Sequence, residues 1–316
     1  MNAKSDALQF YVNETYWKGY QKFFPKELRC AKGPCVAKEE FWRWRTYQVH
    51  LDRIDTSGPR FKVVLLHGAG GYGRFLAPFA VGLSQLGCSV VAPDLPGYGL
   101  TVPRSPDLEY EDWVDCVSDL VDSESKTDST PIVLFGLSLG GMLAYQVAAR
   151  NPLASAVIAT TLADPRQPEV MEAMARFPFL GRLGPGVMEL LRVPLDRLSL
   201  PIATFAKMSA VSGNPAFASL VMNDKLGGDN HVPMSLLRSM TTYQPAVEPE
   251  SFKKPLLLAH PGNDTWTPTA LSKPFFDRLS GNKHFVELDN CGHAPIEQPG
   301  ITQLQDAVKR FLQQLG

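Results

Sequence analysis

The chain alternates short apolar runs with longer amphipathic stretches. Runs at 61–66, 88–93, 132–137 and 154–160 are rich in aliphatic residues and end in turn residues. That is the pattern of strands buried on both faces of a parallel sheet. Two more runs, 255–259 and 285–288, come much later. Between the early runs, Trp113, Val114, Val117, Leu120 and Val121 share one face at helical spacing, and Leu304, Val308, Phe311, Leu312 and Leu315 do so near the C-terminus. Strands alternating with helices predict an α/β fold with a mostly parallel sheet. Upstream, residues 41–50 alternate in hydropathy and read as one antiparallel edge strand leading into the sheet.

The alternation lapses over residues 164–249, a stretch rich in Pro, Gly, Met and Leu with helical pieces and no convincing strand. It reads as an insertion over the strand ends, splitting a core of 41–163 and 250–316. Its Met171, Met174, Phe177, Phe179, Met188, Met208 and Met222 either line an adaptable pocket or pack the insertion onto the body. Residues 1–40 form an aromatic-rich extension. In it Phe10, Trp17, Tyr20 and Phe24 recur at helical spacing, which predicts a face docked against the rest of the protein.

Composition narrows the function classes. Hydrophobic residues make up 44% of the 316 positions and charged residues 20%, with a formal net charge of −1. A globular protein with ample core is expected, with no electrostatic footprint for nucleic acid. No run reaches the ~18 apolar residues of a membrane helix, and the first ten residues have no apolar signal-like stretch, so a soluble cytoplasmic protein without stable membrane insertion is expected. Five cysteines, an odd number, argue against a disulfide framework. Cys30 and Cys35 are expected to be reduced surface thiols.

Two glycine-rich turns carry candidate chemistry. Gly136-Leu137-Ser138-Leu139-Gly140 follows an apolar strand and opens a helical pattern. A nucleophile in such a strained turn needs glycines two residues to either side, because the backbones approach closely. The alternative is a Ser that merely caps the following helix. His67-Gly68-Ala69-Gly70-Gly71 ends another strand and can aim the Ala69 N–H at a developing oxyanion, with Leu139 supplying the second donor. Residues 68–73 also match the dinucleotide-binding pattern Gly-x-Gly-x-x-Gly, with Asp94 at the end of the next strand as its ribose-binding acid.

Asp264 and His293 each lie just beyond a late strand, so the order Ser138, Asp264, His293 places three catalytic residue types at one sheet edge. Asp164, just past the run 154–160, competes for the role of the acid. The other histidines show no metal-ligand spacing.

With these pieces in place, the chain from about residue 61 onward resembles the α/β-hydrolases that carry a cap. The resemblance rests on His67-Gly68-Ala69-Gly70, Asp94-Leu95-Pro96-Gly97-Tyr98-Gly99, the Ser138 turn, Gly262-Asn263-Asp264 with Pro268, and Gly292-His293. Within that family it is most similar to the monoacylglycerol lipase and lysophospholipase branch, although Leu139 stands where that branch usually has Met. The resemblance implies a mostly parallel sheet with helices on both faces, a mainly helical cap at 164–249, and a serine hydrolase acting on a small-molecule carboxylic ester with an apolar acyl chain. It implies no metal and no organic cofactor. A Ser at position 138 sets aside relatives that attack with a carboxylate or a thiolate. Lactonases, C–C bond hydrolases and catalytically silent ligand-binding members of the fold stay open.

Overall fold

The computed structural model describes residues 8–30, 37–190, 192–196 and 198–316. Cys35 lies outside them, and Cys30 is buried rather than at the surface. The apolar runs become β3 (Phe61–Leu66), β4 (Cys88–Pro93), β5 (Ile132–Gly136), β6 (Ala154–Ala159), β9 (Leu256–Pro261) and β10 (Lys283–Leu288). All of β3 and β5 is buried, which explains their apolar character; the exception, Lys62, donates its ammonium to the Glu124 carbonyl at 2.8 Å. With β1 (Lys38–Trp44) and β2 (Tyr47–Ile54) they form an eight-stranded sheet ordered β1-β2-β4-β3-β5-β6-β9-β10. Pairing from β4 onward is parallel, whereas β2 runs antiparallel to both β1 and β4. Helices α1 (Ala77–Gln85), α2 (Tyr110–Ser125), α3 (Leu139–Arg150), α9 (Thr269–Arg278) and α10 (Gly300–Leu315) surround the sheet.

The expected single edge strand at 41–50 is instead a hairpin. Trp44 faces Tyr47 across a two-residue turn in which Arg45 takes φ 50°. Alternation survives a two-residue turn unchanged, so the hydropathy pattern conceals the fold-back.

Residues between β6 and β9 form α4 (Pro168–Met174), α5 (Pro178–Leu190), α6 (Arg192–Leu195), α7 (Pro215–Met222) and α8 (Met234–Thr242). They also form a short antiparallel pair, β7 (Ser199–Pro201) with β8 (His231–Pro233), where no strand was expected. Three residues are too few to show a period of two.

At the N-terminus, a 3₁₀ helix at Tyr16–Phe23 buries Trp17 and Tyr20, and Tyr11, Phe24 and Leu28 are buried beside it, while Phe10 is half-buried. The Tyr20 and Tyr72 hydroxyls both donate to Asp224 Oδ2 at 2.7 Å, tying this segment and the body to the residues after α7. Among the described residues no helix is long and apolar enough to cross a membrane.

Candidate active site

The turn from β5 into α3 forces Ser138 to φ 54° and ψ −129°, outside the regions a non-glycine residue prefers. A methyl group at Gly136 would run into the Gly140 carbonyl, and one at Gly140 would lie 2.5 Å from the Leu66 carbonyl oxygen. The two glycines are therefore steric requirements of the turn. Thr160, at the end of β6, accepts the Ser138 N–H on its hydroxyl at 2.9 Å and so holds the turn from behind.

His293 Nε2 lies 2.6 Å from Ser138 Oγ, and His293 Nδ1 lies 2.8 Å from Asp264 Oδ2. Asp164 is not part of this line; its carboxylate pairs with Arg166 at 2.7 Å. Burial alone would push the Asp264 carboxyl up. Electrostatic interaction with the His293 ring, and hydrogen bonds from His293 and from the Thr267 and Trp266 N–H groups, outweigh burial and hold it below the usual carboxylate range. Thr267 adds a hydroxyl donated to Asp264 Oδ2 at 2.9 Å, a contact for which the sequence carries no separate signal.

Ala69 and Leu139 both border the space in front of Ser138. Leu139 is the first residue of α3, where a backbone N–H has no intrahelical acceptor. The loop carrying Ala69 is set by His67. Burial lowers the His67 pKa, so the ring is neutral, with Nδ1 donating to the Gly68 carbonyl at 2.9 Å and Nε2 accepting the Leu95 N–H at 3.0 Å. Gly70 takes φ 74°, a conformation that residues with side chains rarely adopt, and lies against the Met208 methyl.

Asp94 cannot serve a ribose. It is fully buried and already accepts the Gly73 N–H at 2.6 Å, the Leu100 N–H at 2.7 Å and the Tyr11 hydroxyl at 2.7 Å. The acid that completed the dinucleotide pattern is thus an internal brace of the turn. Nearby, Glu39, His50 and Asp52 could converge on a cation, but Arg74 pairs with Asp52 at 2.5 Å and with Glu39 at 3.0 Å and already supplies the countercharge.

A cavity of about 280 Å³ starts at Ala69, Leu139 and Trp266 and runs under the residues between β6 and β9. Its walls are almost wholly apolar and include Tyr98 and Trp113 together with Met171, Met174, Met188, Met234 and Met240. Of the other residues expected to line or pack this region, Phe177 and Phe179 are exposed and Met208 packs on Gly70. Met222 is partly buried against the core.

Residues 63–302 match the model of the alpha/beta hydrolase family. The chain belongs to the alpha/beta hydrolase family. Over 280 residues it is 26% identical to phospholipase YtpA of Bacillus subtilis, covering 86% of this chain and 99% of that one. Over 119 residues it is 35% identical to the probable protein phosphatase methylesterase 1 of Caenorhabditis elegans, a match that spans 32% of that relative's length and 37% of this chain. The monoacylglycerol lipase of Paleococcus ferrophilus superposes with a TM-score of 0.65 at 25% identity, over 85% of this chain and 99% of that one. A soluble variant of the Saccharomyces cerevisiae monoglyceride lipase superposes with a TM-score of 0.74 at 14% identity, over 92% and 100%. Relatives of these kinds support a hydrolase of lipase and esterase type.

Proposed function

We propose that this alpha/beta hydrolase cleaves a carboxylic ester with an apolar acyl chain through an acyl-enzyme, with residues 164–249 acting as a cap over the site. The observation that carries the reading is the hydrogen-bonded line Ser138–His293–Asp264 close to an apolar cavity that Ser138's neighbour Leu139 helps to line. In this mechanism His293 Nε2 takes the proton from Ser138 Oγ as the oxygen attacks the ester carbonyl. Asp264 fixes the imidazole tautomer and stabilises the imidazolium. The N–H groups of Ala69 and Leu139 receive the oxyanion. The imidazolium then protonates the departing alcohol, and water activated by His293 releases the acid and restores Ser138.

The acyl chain belongs in the 280 Å³ cavity, because its walls offer dispersion contacts and few polar partners. Each methylene buried there contributes on the order of 0.8 kcal/mol. Monoacylglycerol and lysophospholipid esters meet the acyl requirement and differ in the alcohol.

Two measurements test the proposal. A fluorophosphonate should label Ser138 rapidly, and kcat/KM on methyl esters should rise from acetate towards decanoate. A chain that ignores the probe is a ligand-binding member of the fold, and a monotonic fall with acyl length points to a small lactone or ring-cleavage substrate.

A further inference from the structure

The space in front of Ser138 is divided unequally. Beside the large apolar cavity lies a second pocket of about 40 Å³, one seventh as large, which contains Ser138 and His293. Ala69 and Trp266 border both spaces and mark the partition.

The chemistry assigns the two spaces, given the acyl-enzyme reading above. The leaving oxygen has to receive its proton from His293 Nε2, so the alcohol departs on the side that His293 and Ala294 line, which is the small pocket. A single water-sized group needs about 10–15 Å³, so the pocket holds roughly three.

Its walls also withhold hydrogen bonds. Apart from Ser138 and His293, the side chains that line it are apolar or absent, among them Phe75, Leu76, Val211 and Val221. Three of the backbone acceptors beside it are already engaged. The Gly68 carbonyl takes the Gly71 N–H, the Val211 carbonyl takes the Ala294 N–H at 2.7 Å, and the Val221 carbonyl takes the Gly228 N–H at 3.1 Å. Behind the pocket, the Phe75 ring is packed between Tyr20 at 4.9 Å and Phe217 at 6.0 Å, centroid to centroid, so its rear wall is braced by the N-terminal segment and α7. A glycerol or phosphoglycerol leaving group would exceed this volume and would set hydroxyls against mostly apolar walls.

We infer that the enzyme is built for esters of a small alcohol of about one or two carbons, so that its substrates are methyl- or ethyl-type esters of medium-chain or longer apolar carboxylic acids. The alcohol pocket sets this selectivity and the larger cavity sets the acid.

The test compares kcat/KM of the full chain for methyl octanoate, butyl octanoate, 1-octanoylglycerol and octyl acetate. Methyl octanoate should exceed both 1-octanoylglycerol and octyl acetate by at least about tenfold. Val221→Ala, which widens only the small pocket, should raise the ratio of butyl to methyl ester turnover several-fold. A glycerol ester turned over as well as the methyl ester overturns the inference, as does an unchanged ratio in the Val221 variant. Preference for octyl acetate overturns it by reversing the two spaces. In each of these cases rapid labelling of Ser138 by a fluorophosphonate leaves the serine hydrolase reading standing; loss of both labelling and all ester turnover overturns that reading and this one together.

Discussion

The indole of Trp266 packs on the imidazole of His293 with ring centroids 4.7 Å apart, and its Nε1 donates to the Met174 carbonyl at 3.1 Å. One side chain therefore touches the proposed general base, borders both halves of the substrate space, and reaches into α4. Trp266→Ala should reduce kcat/KM on octanoate esters by about 10- to 100-fold, the scale expected when a reacting group loses its positioning. Trp266→Phe, which keeps an aromatic face but loses the bond to Met174, should recover most of that loss. If the alanine variant stays within twofold of wild type, the ring contact has no part in positioning His293.

Ser138→Ala should remove turnover by several orders of magnitude while leaving thermal unfolding nearly unchanged, since the side chain is small and partly exposed. Asp264→Asn should cost about three to four orders of magnitude in kcat, because an amide cannot hold the imidazole in the required tautomer with Nδ1 protonated. Asp164→Asn should disturb only the Arg166 pair, and loss of catalysis in that variant instead of Asp264→Asn would reassign the acid.

His50 should make stability depend on alkaline pH. Burial works to lower its pKa, yet the Asp94, Glu39 and Asp52 carboxylates outweigh burial and raise it above the ordinary value. Tyr11 and Phe41 close off the ring with edge contacts, and Arg74 stands behind Asp52 and Glu39. A folded pKa above the unfolded value of about 6.5 means the contribution is complete below that pH and fades as pH rises through the folded value. The difference in Tm between wild type and His50→Gln should therefore be largest near pH 6 and shrink towards pH 9. A difference that stays constant over this range would show that His50 contributes by packing alone.

Arg74 should be the most costly single truncation in the N-terminal half of the chain. It is buried to 1% exposure, pairs with Asp52 and Glu39, and lies against the rings of Tyr11 and Trp17. Arg74→Ala strands two carboxylates and removes the cation–π contacts, an expected loss of about 3–5 kcal/mol in urea unfolding. A loss below about 1 kcal/mol would mean that water or another cation reaches the vacated site.

The sheet was legible because a strand covered on both faces is apolar over almost its whole length, as 132–137 is and as 61–66 is apart from Lys62. The nucleophile turn was legible because sterics at Gly136 and Gly140 leave few sequence solutions. What escaped has a common physical basis in contacts between residues far apart along the chain. The Tyr11 hydroxyl reaches Asp94 across 83 positions and Tyr20 reaches Asp224 across 204, and neither separation leaves a local pattern. The Arg45 turn was hidden by the alternation that marks both of its strands. Thr267 reads as an ordinary loop residue until folding sets its hydroxyl against Asp264. Asp94 was legible as a polar residue at a strand end, but its role was not, because an acid that binds a ligand and an acid that binds its own loop have the same letter.

The segment between β6 and β9 grips the very loops that carry Asp264 and His293. The Ala294 N–H donates to Val211 at 2.7 Å, the Ser212 hydroxyl to Glu297 at 2.7 Å, Lys207 to the Thr265 carbonyl at 3.2 Å, and Trp266 to Met174 at 3.1 Å. The proposed cap and the candidate triad are thus one mechanical assembly. Anyone transplanting a different segment onto this sheet, in search of a new substrate, would also be unfastening the proposed acid and base. A working chimera has to inherit these four ties along with the strands.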